Sequence, residues 1–107
     1  MKILIIGAGQ VGFYLCSRLS AEGHEVTLID RHAERLRLAQ DRLNVLGIHG
    51  NGAGAEFLEK GGIKETDILI AVTDQDEVNI LACLLARSYE VPTRIARVKS
   101  IEYSGRG

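Results

Sequence analysis

The segment Lys2–Gly12 reads KILIIGAGQVG, an apolar run that passes directly into three closely spaced glycines. A continuous run of aliphatic residues, without polar alternation, is typical of a strand covered on both faces, as in a parallel sheet. Apolar residues then recur at Val11, Leu15 and Leu19, which is the spacing of one helix face. The segment therefore predicts a strand, a tight glycine turn and a helix in direct succession.

Strand and helix patterns alternate along the rest of the chain. The predicted strands cover residues 2–6, 25–29, 45–48, 67–72 and 94–98, and the helices after the first cover residues 33–43, 55–60 and 74–88. Short connections join these segments, and Pro92 prevents the last helix from extending further. This alternation predicts an α/β fold, a doubly wound parallel sheet of the Rossmann type.

The prediction assigns residues 1–103 to one domain and residues 104–107 to a flexible tail. Of the 107 residues, 46% are hydrophobic and 25% are charged, a composition that supplies one core and excludes intrinsic disorder. A doubly wound sheet usually adds a closing helix and a sixth strand, whereas only residues 100–107 remain after the fifth predicted strand. We therefore expect a truncated domain that belongs to a longer protein.

The charge and the cysteines exclude several functional classes. A net charge of −1 and 5% aromatic residues provide neither a basic surface nor stacking platforms for nucleic acid. Cys16 and Cys83 are far apart in the chain and form no disulfide or metal-binding pattern, which suits a reducing compartment. No apolar run approaches the ~18 residues of a membrane span. The sequence predicts a cytoplasmic domain with no metal site and no nucleic-acid partner.

The three glycines Gly7, Gly9 and Gly12 form the pattern Gly-x-Gly-x-x-Gly between the first strand and its helix. In dinucleotide-binding domains the first glycine permits the turn, the second lets the backbone approach a pyrophosphate, and the third allows close packing. The N–H groups at the start of the helix then face the phosphates. Asp30 ends the second strand, and we expect it to be exposed and to accept hydrogen bonds from ribose hydroxyls.

The Asp30 carboxylate also bears on the choice of nucleotide. It disfavours the 2′-phosphate of NADP, although Arg31 follows directly and leaves that preference open.

Two loops at the carboxyl ends of strands carry polar residues. Thr73 is expected to border the crevice between the first and fourth strands. Asp74 and Glu77 have the spacing of a helix capping box, which explains these acids without a binding role. Asn51, between two glycines, is predicted to be a left-handed turn residue. The histidines occur singly, without a metal-ligand or base partner at useful spacing, and are expected at exposed loop positions: His24, His32 and His49.

The fourth predicted helix is apolar on all sides over Ile80–Ala86. A helix that packs on one sheet face needs only one apolar stripe, so a second stripe, centred on Ile80 and Leu84, requires another cover. That cover is either a further helix of the same domain or a partner subunit.

Together these motifs resemble the TrkA N-terminal family, the RCK (regulator of potassium conductance) module of bacterial potassium uptake systems. The segments that carry the resemblance are Gly7–Gly12, Asp30, Gly50–Gly52, Ala71–Asn79 and Arg94–Val98, and it extends over residues 1–103. The resemblance implies a regulatory module without enzymatic activity that binds NAD(H) or ATP/ADP. It also implies a homodimer or a larger ring at the inner face of the cell membrane, attached to a potassium-transporting subunit that it gates.

Positions carried over from the family imply a set of nucleotide contacts. The phosphates would be held by the glycine loop, at Gly7, Gly9, Gln10, Val11 and Gly12. Asp30 and Arg31 would contact the adenosine ribose and its surroundings, and Asn51 and Thr73 would line the crevice. Arg97 and Lys99, from one face of the fifth strand, would approach the phosphates. One alternative is the cofactor domain of an NAD-dependent dehydrogenase that lacks its substrate domain. Such an enzyme needs an acid or base near the nicotinamide, and the motifs place no His or Lys there. The other alternative is an interaction module whose pocket is vestigial.

Overall fold

The first strand, β1 (Lys2–Ile6), lies at the centre of a five-stranded parallel sheet in the computed structural model, which describes residues 1–100. The other strands are β2 (Glu25–Asp30), β3 (Leu46–His49), β4 (Ile68–Ala71) and β5 (Thr93–Ala96). The helices are α1 (Gln10–Ala21), α2 (Ala33–Arg42), α3 (Ala55–Lys60) and α4 (Asp76–Ser88). The strand order is β3-β2-β1-β4-β5, which confirms the doubly wound fold. The predicted boundary at residue 103 and the tail at 104–107 lie outside the described residues.

Two apolar layers cover the sheet, one on each face. Ile3 and Ile5 of β1 pack in the layer under α1 and α2, whereas Leu4 and Ile6 pack in the layer with α3 and α4. Successive side chains of a strand point to opposite faces, so a strand covered on both sides must be apolar at every position. This requirement explains why the run in β1 is unbroken.

The glycine loop packs β1 and α1 at very short range. Gly7 has φ +110°, a left-handed conformation that glycine adopts without strain and other residues rarely do. A Cβ atom at Gly12 would lie 1.7 Å from the carbonyl oxygen of Gly7, so the helix can approach the loop only because Gly12 has no side chain. The fold therefore fixes the first turn of α1 directly over the end of β1.

The start of α4 differs from the prediction. The helix begins at Asp76 and not at residue 74, and its N-cap residue is Gln75, which makes no side-chain capping hydrogen bond. The predicted Asp74–Glu77 capping box is therefore wrong. Asp76 is instead 7% exposed, and its two carboxylate oxygens accept the N–H groups of Lys99 (2.9 Å) and Ser100 (2.8 Å).

These two hydrogen bonds lower the pKa of Asp76, and the nearby charges of Lys99 and Arg97 act in the same direction. The segment after β5 is thus tied to the first turn of α4 by an ionised carboxylate.

The second apolar stripe of α4 is centred slightly away from its predicted position. Leu81 and Leu84 are 50% and 55% exposed, whereas Ile80 is partly buried. Neither of the two predicted covers, a helix of the same domain or a partner, is among the described residues.

No helix within residues 1–100 is long and apolar enough to cross a membrane.

Both cysteines are free thiols, as the sequence predicts. Burial raises the pKa of Cys16 to about 12, so this thiol stays protonated at neutral pH.

We expect Gly12→Ala to destabilise the domain by about 1–3 kcal/mol or more, because its Cβ atom would collide with the backbone of Gly7. Gly9→Ala is the matched control: the nearest group to its Cβ is the Arg35 side chain, at 3.9 Å, and we expect a loss below about 1 kcal/mol. Urea unfolding measures both. Equal losses for the two variants would show that the contact between helix and loop is unimportant.

We also expect acid to weaken the domain through Asp76. Because its pKa is lower in the folded chain than in the unfolded chain, its stabilising contribution is present above about pH 4. That contribution is lost as the pH falls through the folded pKa. Urea unfolding between pH 7 and pH 2 should show a shallower acid dependence for Asp76→Asn than for the wild type. Parallel curves would contradict this assignment.

Candidate functional site

A cleft of about 330 Å³ opens at the carboxyl ends of β1, β2 and β4. Both neighbours of β1 are parallel to it, so the connections leave in opposite directions and the loops after these strands separate. Nine of the predicted site residues line the cleft: Gly7, Gly9, Gln10, Val11, Asp30, Arg31, Asn51, Thr73 and Arg97. The structure therefore brings together most of the set that the sequence indicated, while Gly12 and Lys99 lie outside the lining.

The glycine loop presents an open backbone surface to the cleft. Gly9 is the N-cap of α1, and beyond its own chain neighbours the nearest atom to the place where its Cβ would be is Nη1 of Arg35, at 3.9 Å. The first turn of α1 contains no acidic residue. Because the first N–H groups of a helix lack intrahelical acceptors and carry partial positive charge, this surface fits a phosphate group.

Asp30 is more buried than the sequence predicted. It is 7% exposed, and its carboxylate accepts the N–H groups of Ala8 (2.9 Å) and His32 (2.8 Å). The expectation of an exposed acid is wrong because the strand end lies beneath the glycine loop, which supplies the Ala8 donor. Each carboxylate oxygen has further acceptor capacity, so Asp30 can still receive a hydroxyl from the cleft.

All three histidines have partners that their sequence positions did not indicate. The His24 Nδ1 atom lies 3.4 Å from the N-terminal amino group. The His32 Nδ1 atom lies 3.3 Å from the Asp30 carboxylate, and His32 lines the cleft. The His49 Nε2 atom lies 3.0 Å from the carbonyl oxygen of Arg31. The expectation of a histidine without an acid–base partner is therefore wrong at His32, whose ring lies beside the carboxylate at the end of β2, whereas the exposed positions expected for His32 and His49 are confirmed.

Arg35 is a cleft residue that the sequence analysis missed. It belongs to the exposed face of α2, where a charged side chain needs no special explanation. In the structure its guanidinium lies beside Gly9, and Arg35 lines the cleft. The ion pairs of α2 join Arg37 to Glu34 and Asp41, and Arg35 takes part in neither. Its positive charge therefore lies beside the glycine loop, at the N-terminus of α1.

Asn51 lies in a turn, but its backbone does not have the left-handed conformation that was predicted. The only residue other than glycine with positive φ among residues 1–100 is Glu90, so Asn51 is not left-handed. Its Oδ1 atom instead accepts the N–H of Ala53 at 2.9 Å, which closes an Asx turn.

The loop after β4 is fixed by a buried polar group on α4. Asn79 is 0% exposed, and its Oδ1 atom accepts the N–H (2.9 Å) and the hydroxyl (2.7 Å) of Thr73. Its Nδ2 atom donates to the carbonyl oxygens of Thr73 (3.1 Å) and Arg97 (2.9 Å). Asn79 therefore joins the ends of β4 and β5 beneath the cleft.

Arg97 and Lys99 do not occupy one face of β5, because this strand ends at Ala96. Arg97 reaches the cleft, and its Nη2 atom donates to the carbonyl oxygens of Val72 (3.2 Å) and Thr73 (3.0 Å). Its Nε atom is buried and has no hydrogen-bond partner among the described residues. Lys99 is exposed, away from the cleft lining, because Asp76 binds its backbone.

The cleft lining carries more basic than acidic side chains. Three arginines line it, Arg31, Arg35 and Arg97, against the acids Asp30 and Asp74. No cluster of three or more His, Cys, Asp or Glu side chains suited to a metal occurs in the part of the chain that the structure describes. The open Gly9 surface, the helix N-terminus and the positive charges of Arg35 and Arg97 together fit a ligand that carries phosphate.

Comparison with known proteins gives a consistent family. The profile of the TrkA-N domain matches residues 3–106. The chain is 43% identical, over 104 residues, to the Trk system potassium uptake protein TrkA of Azorhizobium caulinodans, an alignment that covers 96% of this chain and 23% of that protein. The chain spans about a quarter of the length of the bacterial relatives it matches.

Solved structures share the fold at lower identity. The NAD(P)-binding domain of an exopolyphosphatase-related protein from Archaeoglobus fulgidus has a TM-score of 0.79 at 23% identity, covering 94% of this chain and 74% of that one. The AMP-bound C-terminal domain of Kef from Shewanella denitrificans has a TM-score of 0.75 at 22% identity, covering 89% and 57%. The fold is thus that of nucleotide-binding Rossmann domains, and because the family profile spans nearly the whole sequence, the chain belongs to the TrkA-N domain family.

Proposed function

We propose that this chain is an adenine-nucleotide-binding regulatory domain of a potassium uptake system, with NAD(H) or ATP/ADP as its ligand. The observation that carries the proposal is the glycine loop, in which Gly9 leaves an open backbone surface at the N-terminus of α1. A side-chain-free helix N-terminus at the switch point of a doubly wound sheet is the arrangement that binds nucleotide phosphates.

The remaining cleft residues would each contact a different part of the nucleotide. Phosphates would lie on the loop, between Arg35 on one side and Arg97 on the other, since both arginines line the same cleft. The ribose would bind the free acceptor positions of Asp30, close to Arg31. The base would lie beyond the ribose, on the β2–β3 side of the cleft, where Asn51 is part of the lining.

The regulatory role rests on the family and on the names of its relatives. Proteins called Trk system potassium uptake protein TrkA include a segment similar to this chain. We therefore propose that the domain works at the cytoplasmic face of a membrane and gates a potassium-transporting subunit according to the nucleotide bound. A homodimer or ring, in which the Leu81 and Leu84 surface of α4 is covered, belongs to the same proposal.

The domain is proposed to bind its nucleotide without transforming it. Most ionisable side chains of the cleft have other roles: Asp30 pairs with His32, and the arginines suit phosphate. Asp74 is the remaining acid of the lining, and no motif of the sequence pairs it with a second catalytic group. Hydride transfer needs a second substrate held against the nicotinamide and a group that exchanges its proton. Turnover of NAD(H) with an added carbonyl or alcohol substrate would favour the dehydrogenase alternative instead.

Nucleotide binding is tested by thermal shift and calorimetry with NAD, NADH, NADP, ATP, ADP, AMP and adenosine. A ligand at 100 times its Kd stabilises the folded domain by about 2.7 kcal/mol, which raises the melting temperature measurably. We expect ATP, ADP or NAD(H) to produce this shift. No shift with any of these nucleotides would contradict the proposed function.

Gly9→Val should abolish nucleotide binding while the domain stays folded. The added side chain has no backbone neighbour to collide with, but it would fill the surface where phosphate must approach. We expect the melting temperature without ligand to fall by less than about 8 °C, as for a loss of about 1 kcal/mol, and we expect no shift on adding ADP. Wild-type affinity in the folded variant would overturn the assignment of the phosphate loop.

Arg35→Gln should weaken ADP binding about 3- to 10-fold, equivalent to ~0.7–1.4 kcal/mol for an exposed charge near phosphate. Binding of adenosine should not change, and added salt should reduce the difference between wild type and variant. Arg37→Gln is the matched control, since Arg37 lies on the same helix and pairs with Glu34 and Asp41. Equal effects of the two variants would show that Arg35 acts only through general charge.

A further inference from the structure

Asn79 has a buried carboxamide whose entire hydrogen-bonding capacity is used at the rim of the cleft. The group offers two acceptor positions and two donors, and all four are engaged. Three of the bonds go to Thr73 and one to the carbonyl of Arg97. Asn79 itself is 0% exposed and does not line the cleft. It can therefore act on a ligand only through these two residues.

The position of Arg97 depends on the same group. Its guanidinium is held by the carbonyl oxygens of Val72 and Thr73, and the Thr73 carbonyl is shared with the Nδ2 atom of Asn79. The Arg97 backbone is held in turn by Asn79 and by the N–H···O bond to Ala71 (2.9 Å). One side chain thus fixes both the main chain that carries the arginine and the carbonyl on which the arginine rests.

We propose that Asn79 is a positioning residue that presets Thr73 and Arg97 for the phosphate groups of the nucleotide. This inference rests on the proposed nucleotide-binding function and adds to it a residue outside the cleft. A carboxamide that makes all four of its hydrogen bonds holds the chain after β4 and after β5 in one arrangement before the ligand binds. Binding therefore costs less conformational entropy of these two segments. Arg97 lines the cleft from that preset position, so its positive charge can act on a phosphate group bound there.

A double-mutant cycle tests the proposal, with calorimetry of ADP and adenosine on the wild type, Asn79→Ala, Arg97→Gln and the double variant. We expect Asn79→Ala to weaken ADP binding at least about 10-fold and adenosine binding less than about 3-fold. In the Asn79→Ala background, Arg97→Gln should cost little more, because the arginine is already out of place. Ile63→Ala is the control for lowered stability, since Ile63 is fully buried in the core layer with α3 and α4 and lies outside the cleft lining.

The outcomes separate this inference from the proposed function. If wild type binds neither ADP nor NAD(H), the proposed function fails. If wild type binds ADP but Asn79→Ala loses ADP and adenosine affinity equally, or the two substitutions are additive, Asn79 is merely structural and the inference is overturned. The inference also fails if Ile63→Ala changes the ratio of ADP to adenosine affinity as much as Asn79→Ala does.

A measurement on the wild type keeps the proposal testable if Asn79→Ala does not fold. The Nδ2 protons of Asn79, donated to two carbonyls in a buried site, should give resolved NMR signals that exchange slowly with water. We expect these signals to shift on titration with ADP and to stay in place with adenosine. Equal shifts with both ligands, or none with ADP, would overturn the inference.

Discussion

Parallel strands pair with β1 along both of its edges, and this pairing dictates where the cleft and its walls lie. Because right-handed crossovers leave β1 in one direction and enter β4 from the other, the loops at its carboxyl end must separate. The cleft is the space between them. The glycine loop follows from the same pairing, since α1 must begin directly above the last residue of the central strand, and only a residue without a side chain fits at Gly12.

Polar groups buried under the cleft give its walls a defined shape. On the β2 side, the Asp30 carboxylate binds N–H groups of the glycine loop and of the turn into α2. On the β4 side, Asn79 binds the main chain just beyond the ends of β4 and β5. Buried polar groups are stable only when their hydrogen bonds are satisfied, so each of these side chains admits few arrangements of the backbone around it. A cleft built in this way is largely formed before a ligand binds.

The charges around the cleft complement this shape. Asp76 and Asp30 are engaged by backbone donors, so their negative charge is partly offset within the protein, whereas three arginines face the cleft. A cleft with this balance of charge attracts phosphate groups. The family resemblance, which rests on residue order, and the placement of charge around the cleft are independent observations, and both indicate a ligand that carries phosphate.

The alternation of strands and helices, the glycine turn and the acid at the end of β2 could all be predicted from the sequence, because they depend on local periodicity and on the backbone needs of single residues. The burial of Asp30, the partner of His32, the position of Arg35 and the role of Asn79 could not. Sequence spacing also misplaced Lys99 and suggested a capping box that does not form. The contact of His32 with Asp30, two residues away, depends on the local turn after β2. The other features depend on contacts between elements that lie far apart in the chain: strand ends brought together by the sheet supply the donors and acceptors that a side chain meets. Those partners come within hydrogen-bonding distance only when the sheet has assembled.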